Sequence, residues 1–103
     1  MRSIRMTYAT AAVVQALDLG YRHGFAIAEA TGLRGGTVYP ILRRLQDAGL
    51  ARGEWEPVSV SRNAGRPPRK YYRLTRNAEE LLATARARFP LVVRSGAEVT
   101  ERG

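Results

Sequence analysis

Val38, Ile41, Leu42 and Leu45 recur at the i, i+3, i+4, i+7 spacing of one helical face, and Gly49 stands just after Ala48 to end the pattern. The opposite side of the same segment presents Thr37, Tyr39, Pro40, Arg43, Arg44 and Gln46. Such a helix must lay its stripe on a core and keep a polar, basic face outward. Pro40 falls in or just beyond the first turn, where little backbone hydrogen bonding is lost. Gly35 and Gly36 read as the end of a turn before the helix. They would let the backbone approach a ligand closely at the helix's positive end.

What surrounds this helix narrows the fold. Upstream, Ala9, Val13, Ala16 and Leu17 share one face of a helix expected over residues 7–19, closed by Gly20. A second, short helix is expected over residues 24–30, stopped at Thr31 and Gly32, with a turn of Leu33, Arg34, Gly35 and Gly36 after it. Two short helices, a glycine-bearing turn and a third helix with a basic outer face form a helix-turn-helix pattern. Downstream, residues 50–56 and the alternating Lys70-Tyr71-Tyr72-Arg73-Leu74 read as two strands, with Trp55 as a packing residue. The polar stretch 59–69 between them reads as a flexible, basic hairpin loop, so the pair describes a wing. A last helix from near Thr75 carries Ala78, Leu81, Leu82, Ala85 and Phe89 on one face and is ended or kinked by Pro90. Residues 91–103 show no pattern and are expected to fray. The fold class is therefore mainly α with a small β-hairpin. Residues 1–75 form a winged helix-turn-helix unit, and residues 76–103 a C-terminal dimerisation helix and tail.

Composition sets the limits on function. The 103 residues suffice for one domain. There is no cysteine, which excludes disulfides, thiolate catalysis and cysteine-ligated zinc. No apolar run approaches the roughly 18 residues of a membrane-spanning helix. Arg2 and Arg5 before residues 8–17 only faintly resemble a signal peptide, and a cytoplasmic location is expected. Asp18, Glu29, Asp47, Glu79 and Glu80 fall on expected solvent faces without a paired base or nucleophile, so no enzyme, cofactor or metal site is read. His23, the one histidine, reads as a structural hydrogen-bonder rather than a ligand.

The net charge of +8 points to a polyanion, although solubility alone could account for it. Its distribution says more. Arg62, Arg66, Arg69, Lys70 and Arg73 fall in the wing stretch with no acid among them. The excess of arginine over lysine is explained as well by a GC-rich genome as by phosphate recognition. Many of the apolar residues are alanines, so the core is thin and a partner chain is expected to support it.

Three stretches carry a resemblance. His23-Gly24-Phe25-Ala26-Ile27, the run from Gly36-Thr37-Val38-Tyr39-Pro40 to Leu45, and Gly65-Arg66-Pro67-Pro68-Arg69-Lys70-Tyr71-Tyr72-Arg73-Leu74-Thr75 resemble the PadR family of bacterial transcription regulators. The likeness spans roughly residues 7–85. Phe25 departs from the family's usual tyrosine, and Ala78 stands where a glycine commonly follows the Leu-Thr pair by a few residues, so the start of the last helix is open to differ. The chain is similar to short members without a larger C-terminal domain. The resemblance implies a dimeric repressor that binds double-stranded DNA. It matches Gly36, Thr37, Tyr39, Pro40 and Arg43 to the DNA-facing helix, and Arg66, Pro67, Arg69 and Lys70 to the wing. Arg43 is the candidate for guanine readout, Arg44 for phosphate or only solvent, and the wing for a sequence-blind anchor. Dimerisation would fall to the first and last helices. Two other readings stay open: a small-molecule-sensing repressor with an aromatic pocket at the dimer interface, and a winged-helix protein–protein adaptor.

Overall fold

The computed structural model describes residues 4–90. Thr7 opens the first helix, α1 (Tyr8–Asp18), by accepting the Thr10 amide on its hydroxyl at 3.1 Å. Every residue from Ala11 to Leu17 except Gln15 is buried. The one-face pattern read from Ala9, Val13, Ala16 and Leu17 thus understates α1, which is enclosed by its own chain. It packs against α2 (Gly24–Thr31), α3 (Gly35–Asp47), the second strand and the last helix. Small side chains at Ala11, Ala12 and Ala16 are what let so many neighbours approach.

The third helix buries Val38, Ile41, Leu42 and Leu45, the stripe its spacing predicts. Val38, Leu42 and Leu45 are fully enclosed, each worth about 1.5–3 kcal/mol of apolar burial. The helix starts earlier than its pattern indicates, because Gly35 and Gly36 form its first turn rather than the preceding loop. Pro40 consequently sits deeper in α3 than expected and removes one full backbone bond, the one the Gly36 carbonyl would accept. Gly49, at φ +77°, reverses the chain. Its amide bonds the Gln46 carbonyl at 3.0 Å and the Leu50 amide bonds the Leu45 carbonyl at 2.8 Å.

From that turn β1 (Ala51–Trp55) runs antiparallel to β2 (Lys70–Leu74), pairing Ala51 with Leu74, Gly53 with Tyr72 and Trp55 with Lys70. The Tyr72 amide points away from β1 and donates to the Arg22 carbonyl at 2.7 Å, tying β2 to the link between α1 and α2. Thr75 closes the base of the hairpin by donating its hydroxyl to the Gly49 carbonyl at 2.7 Å.

The stretch between the strands corrects the sequence reading. Instead of a flexible loop it contains α4 (Val58–Ala64). Its β-branched and serine residues are poor helix formers, so the helix owes its existence to its ends. Pro57 precedes it with φ −59°, and Gly65 at φ +69° ends it, its amide bonding the Arg62 carbonyl while the Arg66 amide bonds that of Ser61. A single 3₁₀ turn, Arg76–Ala78, then leads into α5 (Glu79–Arg88), so the last helix begins later than Thr75. Phe89, at φ −138° and ψ 71°, has left the helical region that a following proline disfavours, and it ends α5 ahead of Pro90. Ala78 and Ala85 are buried, and the Gln15 side chain donates to the Phe89 carbonyl at 2.8 Å, so α5 is fastened to α1. The expected fraying of 91–103 lies outside the described residues.

Candidate nucleic-acid interface

With its stripe turned inward, α3 exposes Gly36, Thr37, Tyr39, Pro40, Arg43, Arg44 and Gln46. Open space surrounds the Cα of Gly36, and no side chain caps the helix at Arg34. The Thr37 and Val38 amides bond the Arg34 carbonyl at 2.9 and 3.0 Å, which leaves the Gly35 and Gly36 amides available to an anion at the positive end of the helix. Tyr39, Arg43 and Gln46 line one side of a cleft of about 550 Å³. The start of α2, with His23, Gly24 and Phe25, forms the second side. The hairpin, with Trp55, Arg69, Lys70 and Tyr72, forms the third.

The third wall depends on a small residue. A methyl group at Gly53 would stand 2.7 Å from Lys70 Cε and 2.9 Å from Gln46 Oε1, so the Lys70 stem and the end of α3 close over bare backbone. The Lys70 ammonium lies 5.7 Å from the Trp55 ring and 5.5 Å from the Tyr72 ring. Two cation–π contacts, each about 0.5–1 kcal/mol at exposed sites, hold this charge beside α3. Trp55 is 64% exposed, contrary to its expected packing role, whereas Tyr72 at 8% fills the core position. The alternation of the register explains it: the pair Trp55 and Lys70 lies at the open end of the face on which Tyr72 and Ala51 are buried. Burial raises the Tyr72 phenol above its ordinary pKa.

The basic wing residues have different duties. Arg66 grips Glu56 with both guanidinium ends, the longer bond being 3.2 Å. Glu56 also accepts the Arg69 amide at 3.1 Å and the Tyr71 hydroxyl at 3.4 Å. Its side chain is only 4% exposed and that of Arg66 25%. The Arg66 hydrogen bond, helped by the Arg69 amide and the two nearby cations, holds the Glu56 carboxyl below its ordinary pKa against the effect of burial, and the same bond raises Arg66. Arg66 thus clasps the wing, while Arg69 and Lys70 face the cleft. Pro67 is exposed, as are Arg62 and Arg73.

Glu56 carries no signal in the sequence, because nothing local distinguishes it from Glu54, two residues earlier in β1, while Glu56 lies just past the strand's end. Only the return of Arg66 across the hairpin gives it a partner. His23 is placed as expected of a structural residue. Its Nδ1 accepts the Ala26 amide at 3.4 Å, and its ring meets Tyr71 edge-on at 5.4 Å. Burial first, then the charges of Arg69 and Arg66, push its pKa below the ordinary histidine value, which keeps Nδ1 free to accept. Among the described residues no group of histidines and acids is arranged to hold a metal ion, and no helix is long and apolar enough to cross a membrane.

Comparison with known proteins agrees with this architecture. A PadR family transcriptional regulator from Eggerthella lenta DSM 2243 is 28% identical, over 78% of this chain and 70% of its own, with a TM-score of 0.58. A PadR-like transcription factor from Bacteroides fragilis is also 28% identical, covering 90% and 84%, at a TM-score of 0.60. A PadR family regulator from Clostridium difficile R20291 shares the fold at 22% identity, 94% and 100% coverage and a TM-score of 0.66. No curated protein matches the chain. The family model for PadR-like transcriptional regulators matches residues 13–84, most of the described structure. A helix-turn-helix with its basic face outward, a hairpin wing beside it and that match together make the chain a member of the PadR-like family of transcriptional regulators.

Proposed function

We propose that the protein is a homodimeric repressor that reads a palindromic operator. In this reading α3 enters the major groove with Thr37, Tyr39, Arg43 and Arg44, and the wing rests on the flanking backbone with Arg69 and Lys70. The observation that carries the reading is the grouping of Tyr39 and Arg43 with Arg69 and Lys70 around one cleft. Arg43 reads a guanine edge, while Arg44 and the Gly35 and Gly36 amides of α3 take phosphates. Arg66 and Pro67 shape the wing. A cytoplasmic location follows from this role.

The dimer uses α5 together with α1. Since α1 is largely enclosed, its share falls to the exposed Tyr8 and Leu19 at its ends, and α5 carries most of the contact. Residues 1–75 then act as the DNA-reading unit and 76–103 as the pairing unit. Selection of bound sites from random DNA tests the reading. A palindrome with half-sites roughly 34 Å apart is expected, and an asymmetric single site would rule the dimer out. With about eight phosphates neutralised, log affinity falls against log salt with a slope of about −7. Sedimentation of a chain lacking 76–103 is expected to give a monomer.

A second reading has its own observation. The aromatic walls Phe25, Tyr39, Trp55 and Tyr72 lie within one protomer, between α3 and the wing. A flat effector bound there competes with DNA directly rather than through protomer spacing. Competition that depends on effector and DNA concentration in a simple reciprocal manner supports it.

A further inference from the structure

Gly24 begins α2, and Tyr39 projects from α3, fifteen positions later. A Cβ on Gly24 would overlap Cζ, Cε1 and the hydroxyl oxygen of the Tyr39 ring. The opposite edge of that ring runs past Gly35, whose missing Cβ would lie 3.4 Å from Cε2. The ring therefore rests on the bare backbone of Gly24, yet Tyr39 as a whole is 52% exposed. One edge is fixed against α2 and the remainder faces outward.

We infer that Gly24 is a positioning residue for DNA recognition: its lack of a side chain holds the Tyr39 ring and hydroxyl at the place where α3 meets the operator. The inference rests on the proposed DNA face. Gly24 is helical and has no left-handed φ, so alanine suits its backbone. What alanine displaces is the far end of a single flexible side chain, not the core. The Tyr39 Cα cannot follow, because Val38, Ile41, Leu42 and Leu45 anchor α3. The ring must swing on its own χ angles, and the hydroxyl moves with it.

The test combines three variants of the full chain. Gly24→Ala should keep the wild-type melting temperature while specific operator affinity falls about tenfold, the effect of losing one hydrogen bond to a charged group. Affinity for random DNA and the salt slope should hold. In a Tyr39→Ala background the same change should cost less than about twofold, because the residue it acts through is gone. A Gly24 Hα resonance shifted by the Tyr39 ring current, and restored in Tyr39→Ala, reports the seat without DNA. Equal losses with and without Tyr39, or a lowered melting temperature accompanying the loss, would overturn the positioning role. If Tyr39→Ala itself binds operator normally while the ring-current shift is present, the DNA face fails and the seat of the ring stands.

Discussion

Arg43 and Arg66 look alike in the sequence, each in a basic stretch with a proline close by, and they end in opposite situations. Arg43 projects from a helix whose place is set by four buried neighbours on its own element, and its guanidinium is exposed. Arg66 lies in a segment without a stripe, and its guanidinium is committed to Glu56, ten residues back. Helix α3 is built by local periodicity, whereas the wing is built by one buried carboxylate. In the first, charge is free because packing does the structural work. In the second, charge does the structural work and is no longer free.

The largest effect that separates the two is in the core. Leu42→Ala should cost about 2–5 kcal/mol in chemical denaturation, since Leu42 is fully enclosed and the surrounding helices cannot collapse onto the space. A cost near zero would mean that α3 is not held by its stripe. Next comes the arginine pair itself. Arg43→Ala should lower operator affinity by about 1–3 kcal/mol and relax preference at one base position. Arg66→Ala should leave base preference alone and loosen the wing, seen as faster exchange of the Arg69 amide. Relaxed preference from Arg66→Ala would erase the distinction.

Acid should divide the regions more gently. Because the folded Glu56 pKa is depressed, its support is complete above the ordinary value of 4.5 and is lost as pH falls through the lower folded value. The Arg69 amide resonance should therefore move in that window before the Leu45 amide does; simultaneous movement would show that the wing has no separate clasp. The smallest effect belongs to Arg86→Ala. Its bond to Asp18 is 2.7 Å, but the arginine is 59% exposed, so stability should change by less than about 1 kcal/mol.

The same contrast explains how far the sequence could be read. The stripe from Val38 to Leu45, the glycine at 49 and the alternation at 70–74 are local signals, and each identifies its element, although α3 begins at Gly35, ahead of its stripe. The helix within the wing is not legible in the sequence because Val58, Ser59 and Val60 have no helical preference; Gly65 and the Glu56–Arg66 clasp impose it from outside. The exposure of Trp55 is hidden in the sequence because alternation tells which face a strand residue takes but not where the core beneath that face ends. Within the candidate interface, the outward residues of α3 followed from the stripe. The fastening of Arg66, the exposure of Trp55 and the overlap of Gly24 with Tyr39 are properties of chain segments that meet only after folding.

One further consequence lies in the position of Trp55. It is the sole tryptophan of the chain and stands half out of the cleft beside the Lys70 ammonium, opposite Tyr39 and Arg43. The protein thus carries its own optical probe in the gap between the wing and α3. Its emission colour and quenching report, without any label, whatever comes to fill that gap.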